Sequence, residues 1–212
     1  LEILLCTTSL SALFLSPFLS AGPLADHLKL LFKALLVSSS WISGLAAMRL
    51  LPLTTVSSIK TTRPVFVLLF SILVFGEKLN VWQWSGSIVV IAALFLLSLS
   101  SRKEGIHFTH NKGIAYMALS VVTGVASALF DKYIMAFMEP VFVQSWSNLY
   151  ITLILALMVV FKRLRDGAGS VKIAPDPLIL LIAVLITASD FIYFTALKDS
   201  SAMLSVVSMI RR

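Results

Sequence analysis

The sequence is a succession of apolar runs, each long enough to cross a membrane. A spanning helix needs about 20 mostly apolar residues, in a range of about 17–25. The runs fall near 1–20, 30–50, 54–75, 81–100, 113–135, 141–161 and 177–197, and an eighth begins near Ser200 and stops at Arg212. The breaks between them carry turn or charge signals: Ala21-Gly22-Pro23, Leu51-Pro52, Gly76-Glu77-Lys78, Arg102-Lys103-Glu104-Gly105, Glu139-Pro140 and the stretch from Lys162 to Pro177. The expected fold class is an all-α polytopic membrane protein with about seven full helices and part of an eighth. Composition agrees: 58% of the 212 residues are apolar and 13% charged, against about 45–50% and about 25% in a soluble domain. Disorder, which needs low hydrophobicity, is excluded.

The lone Cys6 leaves no partner for an intrachain disulfide or a thiolate cluster. The net charge of +7 does not point to nucleic acid, because the 17 Lys and Arg sit mostly between apolar runs and form no single stripe. Counted by loop, they favour the segments around 101–112 and 162–176 as cytoplasmic, although most of that bias lies in the second half of the chain. The chain opens on Leu1 inside one apolar run and closes inside another. The expectation is a window cut from a longer protein.

An internal repeat runs at an offset of 149 residues. Ala34-Leu35-Leu36-Val37-Ser38-Ser39-Ser40 aligns with Ala183-Val184-Leu185-Ile186-Thr187-Ala188-Ser189, Ala47-Met48-Arg49 with Ala196-Leu197-Lys198, and Arg63 with Arg212. Identity is low, and two apolar helices can match this well by chance. The shared order carries more weight: a long helix, a basic residue, a short break, then a helix with a basic residue further on. Five helices separate the copies, and an odd number inverts the second copy in the membrane. Inverted repeats are a transporter signature, with the substrate site near the midplane.

The most specific stretch is Thr61-Thr62-Arg63-Pro64-Val65-Phe66, followed by Phe75-Gly76-Glu77-Lys78-Leu79 and Gln83-Trp84-Ser85-Gly86. With Ala46-Ala47, Pro52 and the repeat, it resembles the drug/metabolite transporter superfamily, EamA-type. The resemblance implies ten helices in two inverted five-helix repeats. Residues 1–105 would be the first repeat without its first helix, and residues 106–212 the second, truncated in its fourth helix. It also implies both termini in the cytoplasm, which places the segments around 101–112 and 162–176 outside, opposite to the charge count.

A charge near the bilayer centre costs about 2.5–3.5 kcal/mol on insertion scales, so a charge retained there is a functional candidate. Asp190 is the sharpest, with Thr187 three residues earlier on the same face and Tyr193 close by. It reads as a cavity carboxylate that binds a cationic group or carries a coupling proton, or as a structural polar contact. Lys60 and Arg63 read as an anion site or a partner for Asp190, or as snorkelling side chains, the bland reading being favoured. Pro64 removes a backbone donor and is a kink candidate. Ser120, Gly124, Ser127 and Asp131 share a face, which suits a packing seam or a cavity wall, and Asp131 is expected near the membrane surface. Gln144 and Asn148 suit a polar substrate or interhelical hydrogen bonds. Ser40 and Trp41 are candidates for the cavity wall, and Glu77 for structural or gating work at a helix end.

The expected function is a secondary transporter in the cell (plasma or inner) membrane. It would move a small organic metabolite, such as an amino acid or drug-like solute, by alternating access, with a proton as candidate coupling ion. The expected partners are that solute and the lipid bilayer, with no nucleic acid. No cofactor or metal is expected: His107 and His110 have only Glu104 nearby, and no metalloprotease, nucleophile-elbow or P-loop motif occurs. A membrane-embedded enzyme would need such groups, and a non-transporting scaffold or receptor would need no continuous cavity.

Overall fold

The computed structural model describes residues 2–101, 112–166, 177–199 and 202–210. Among them the regular structure is helical throughout: α1 (Glu2–Leu15), α2 (Leu24–Met48), α3 (Leu53–Lys60), α4 (Arg63–Phe75), α5 (Val81–Ser101), α6 (Lys112–Met135), α7 (Pro140–Asp166), α8 (Pro177–Lys198) and α9 (Leu204–Ile210), with a short 3-10 turn at Ser16–Phe18. The all-α expectation holds. Among the described residues, α2, the α3–α4 pair, α6, α7 and α8 are long and apolar enough to cross a membrane. Glu2–Phe18 is a shorter apolar helix. Their outward faces carry bare apolar side chains: Leu73, Leu157 and Ile192 are each at least two-thirds exposed, a pattern suited to lipid.

Prolines and charges mark the helix ends. Pro140 and Pro177 open α7 and α8, where a missing N–H costs nothing. Asp26 lies in the first turn of α2 and pairs with Lys29 at 3.1 Å. Arg163 and Arg165 close α7, and Lys198 closes α8. Both placements complement the helix dipole.

Two boundaries differ from expectation. α2 starts at Leu24 rather than near residue 30, because Pro23 accepts the first backbone hydrogen bonds from Asp26 and His27. The run at 54–75 is two helices rather than one. α3 ends at Lys60, and Pro64 stands in the first turn of α4. Proline has no N–H for the carbonyl four residues back, and its ring crowds that carbonyl. The chain between them stays right-handed at Thr61 and Thr62, so the break is a kink rather than a reversal.

Contacts divide the described chain into two compact units, with boundaries inside α2 and α6. The first holds residues 1–38 and 134–198. In it α1 packs on α7 and α8, and α7 packs on α8, around Leu30, Ala34, Val143, Leu155, Ala183 and Leu197. The second holds residues 39–133 and 199–212. In it α3 packs on α5, and α9 packs on α4 and α5. Each unit thus draws on both sequence halves, whereas a sequence repeat follows chain order.

The motif after α4 is explained by the second unit. Gly76 ends α4 with φ +63°, its N–H donating to Ile72 O at 3.0 Å. That is the left-handed cap for which glycine is suited. Asn80 then caps α5: Asn80 Oδ1 accepts from Val81 N at 2.7 Å, and Gln83 Oε1 accepts from Asn80 N at 2.8 Å. The second of these is one arm of a capping box. Gly76→Ala forces a Cβ into left-handed backbone and is expected to destabilise the fold by about 1–2 kcal/mol, measured by reversible detergent unfolding.

Candidate functional site

The sequence candidates fall into two groups, one in each unit. Gln144, Asn148, Asp190 and Tyr193 belong to the first; Ser40, Trp41, Arg63, Pro64 and Glu77 belong to the second.

In the first unit, α7 and α8 meet through polar groups. Gln144 is 1% exposed, and its Nε2 donates to Thr187 O at 2.7 Å. Its Oε1 is buried and finds no donor among the described residues. Thr187 Oγ1 lies 2.8 Å from Ser11 Oγ, tying α8 to α1 as well. Asp190 follows Thr187 by three residues, one turn further along α8, and is half-buried. Asn148 is half-buried one turn beyond Gln144, and Tyr193 is buried with its ring 5.3 Å from that of Phe194.

This unit also holds a charge that the sequence reading passed over. Lys33 is 3% exposed, with Nζ 3.8 Å from the centre of the Phe194 ring. A buried cation over an aromatic face is worth about 2 kcal/mol or more when desolvated. Phe194 stands four residues after Asp190, so the two share a face of α8. Lys33 therefore reaches the stretch of helix that carries the aspartate. A span begun at residue 30 makes Lys33 look interfacial; with α2 starting at Leu24 it lies nine residues in. A second feature is His27, whose Nδ1 is 3.0 Å from Tyr150 OH and whose ring packs edge-on against Trp146 at 4.4 Å.

In the second unit, α2 and α6 are joined by a reciprocal pair: Ser40 Oγ donates to Ser120 O and Ser120 Oγ to Ser40 O, each at 2.7 Å. Gly44 and Gly124 follow one turn later on their helices, so both helices present a small residue, three others, and a small residue. That spacing lets helix backbones approach closely. Arg63 uses the room: its Nη2 donates to Gly124 O. A Cβ on Gly124 would lie 2.6 Å from Arg63 Cζ and 2.9 Å from Ser40 Oγ. A Cβ on Gly44 would lie 3.1 Å from Ser120 Oγ and 3.9 Å from Lys60 Nζ. The small-residue seam is thus also the bed in which the basic side chains lie. Trp41 is half-buried beside Ser40, and Pro64 is buried at the kink. Asp131 is buried near the C-terminal end of α6, at 7% exposure.

Glu77 receives the start of α9. Its Oε1 accepts from Leu204 N at 2.6 Å, and its Oε2 accepts from Ser205 Oγ at 2.6 Å and from Ser205 N at 3.3 Å. A carboxylate at a helix N-terminus satisfies orphan N–H groups and complements the dipole. Arg212, Glu104, His107 and His110 lie outside the described residues.

Residues 1–99 match the EamA-like transporter family. The matched segment runs from α1 almost to the end of α5 and includes Lys33, the Ser40–Arg63 cluster, Pro64, Gly76 and Glu77. Gln144, Asn148, Asp190 and Tyr193 lie beyond it. No curated protein matches the chain. The matched family is one of transporters, and the apolar helices make the chain a multi-pass integral membrane protein.

Two substitutions test the geometry. Gly124→Ala places a methyl where the Arg63 guanidinium lies and is expected to cost about 1–3 kcal/mol, the usual range for overpacking. Glu77→Ala removes a charged acceptor and is expected to cost about 1.5–3 kcal/mol, with faster hydrogen exchange confined to the amides that open α9.

Proposed function

We propose that the protein is a secondary transporter of the cell membrane that moves a small organic metabolite by alternating access, with a proton as coupling ion. The observation that carries the reading is the interruption of the apolar segment Leu53–Phe75 by a kink with a cation, Arg63, beside it. Broken helices with polar groups at the break are how transporters build midplane sites. An uninterrupted span would satisfy its backbone more simply. The two-repeat organisation expected from the sequence, 1–105 and 106–212, belongs to the same proposal.

The roles divide by chemistry. Ser40, Trp41 and Arg63 are proposed to contact solute in the second unit, with Pro64 holding the kink and Glu77 fixing the helix that packs on α4. Gln144, Asn148 and Tyr193 are proposed solute contacts in the first unit; the unsatisfied Gln144 Oε1 suits a solute N–H or O–H. Asp190 is the proposed proton carrier.

The test is uptake by the purified protein in proteoliposomes, offered a radiolabelled pool of amino acids and organic acids with and without a pH gradient. The expected result is gradient-driven accumulation in wild type. Asp190→Asn should lower it at least tenfold while leaving solute exchange at zero gradient. Intact gradient-driven uptake in Asp190→Asn contradicts the coupling role. Failure of the wild type to move any solute contradicts the transport reading.

A further inference from the structure

The first N–H groups of a helix have no partner within it, and the residue just before the helix commonly provides an acceptor. α5 is capped in this way by Asn80. α9 is not. Its first turn closes with a hydrogen bond from Val207 N to Met203 O at 3.0 Å. Met203 therefore stands at the capping position, and its thioether has no oxygen to offer. The acceptor comes from 127 residues away: Glu77 takes Leu204 N, Ser205 N and the Ser205 hydroxyl. Leu204 and Ser205 are both at 0% exposure, so solvent does not stand in for the carboxylate.

The step before α9 is held as well. Lys132, in the last turn of α6, donates from Nζ to Ala202 O. An anion thus sits on the N–H groups that open α9, and a cation on a carbonyl just before them. All of these residues belong to the second unit. The helices that bring the two charges there meet further back, where Arg63 of α4 donates to Gly124 O of α6. From that contact α4 runs about 18 Å to Phe75, next to the Gly76-Glu77 pair, and α6 runs about 12 Å to Lys132, at about 1.5 Å per residue. Rigid helices carry displacement along their length. A shift at the Arg63 end therefore reaches the entry of α9 along both.

We infer that Glu77 and Lys132 are positioning residues that couple α9 to α4 and α6, so that α9 keeps its first turn only while the α4–α5 connection and the end of α6 stay in register with it. A cap within α9 would hold that turn wherever α4 stood. A cap on another element makes the turn conditional on that element. The inference rests on the transporter reading for its effect on flux, and on the hydrogen bonds alone for its effect on α9.

Giving α9 a cap of its own separates coupling from stability. Wild type, Glu77→Ala, Lys132→Met and the double variants Glu77→Ala/Met203→Ser and Glu77→Ala/Met203→Asp are compared. Uptake of the labelled amino-acid and organic-acid pool is measured in proteoliposomes, and thermal stability and hydrogen exchange in lipid nanodiscs. Glu77→Ala and Lys132→Met should each lower flux and speed exchange at the Leu204 and Ser205 amides at least tenfold, although Lys132 touches neither amide. A capping oxygen at Met203 should return stability and exchange toward wild type while flux stays at least tenfold below it. Flux restored together with stability means a cap that only stabilises, and overturns the inference. So does wild-type exchange or wild-type flux in either single variant, or failure of both Met203 replacements to restore protection. A wild type that moves no solute removes the transporter reading, and the exchange results then decide the coupling alone. Wild-type flux with unchanged exchange in both single variants does the reverse.

Discussion

Inside a bilayer no water satisfies the backbone, so every N–H and C=O must find a partner within the protein. The rest of the structure depends on this constraint. It makes the described elements helices, and it makes the break between Lys60 and Arg63 expensive. The chain meets that expense locally. Thr61 Oγ1 donates to Ser58 O at 2.6 Å, and Thr62 Oγ1 to Ile59 O at 2.7 Å, so hydroxyls occupy carbonyls on the approach to the kink. Pro64 still offers nothing to the Lys60 carbonyl. A kink supported in this way, beside two cations and lined by glycines on α2 and α6, is a specific arrangement rather than a frayed end.

The same constraint sorts the many hydroxyls of the apolar helices. Most bond back to a carbonyl three or four residues earlier, as Ser43, Ser145 and Thr152 do, which is the local competition expected of Ser and Thr. Among the described residues, Ser40 with Ser120 and Ser11 with Thr187 join two helices, and Ser205 joins α9 to Glu77 in the connection between α4 and α5. These tie elements far apart in sequence. An interhelical hydrogen bond in a membrane averages only about 0.6 kcal/mol, so they contribute more to register than to stability. The Glu77 contacts differ, because a charge meets a helix N-terminus, and they hold α9 at a fixed height beside α4.

Much of the fold is legible in the sequence because the apolar runs are long and their boundaries carry Pro, Gly or charge. The motif residues are legible as a resemblance, but their jobs are not. Gly76 and Gln83 are caps, and Glu77 bonds to a helix about 127 residues away in sequence. Single-sequence periodicity holds no record of that distance. Lys33 is passed over when the span is begun at residue 30, six residues after the start of α2. The burial of Asp131 is not legible in the sequence, because it depends on the neighbours packed against α6. Gly124 was legible as a small residue in a seam. That its missing Cβ makes room for Arg63 follows only once α4 and α6 are placed together.

The most direct test of the central claim, that the kinked segment presents polar groups to water from each side of the membrane in turn, is thiol accessibility. The single native cysteine is removed as Cys6→Ser, and a cysteine is placed at Thr61. A membrane-impermeant thiol reagent is then applied to one face of sealed vesicles of known orientation, and separately to the other. The account predicts labelling from both faces. Failure to label from either face would mean a kink sealed in lipid or packing, and would contradict the account.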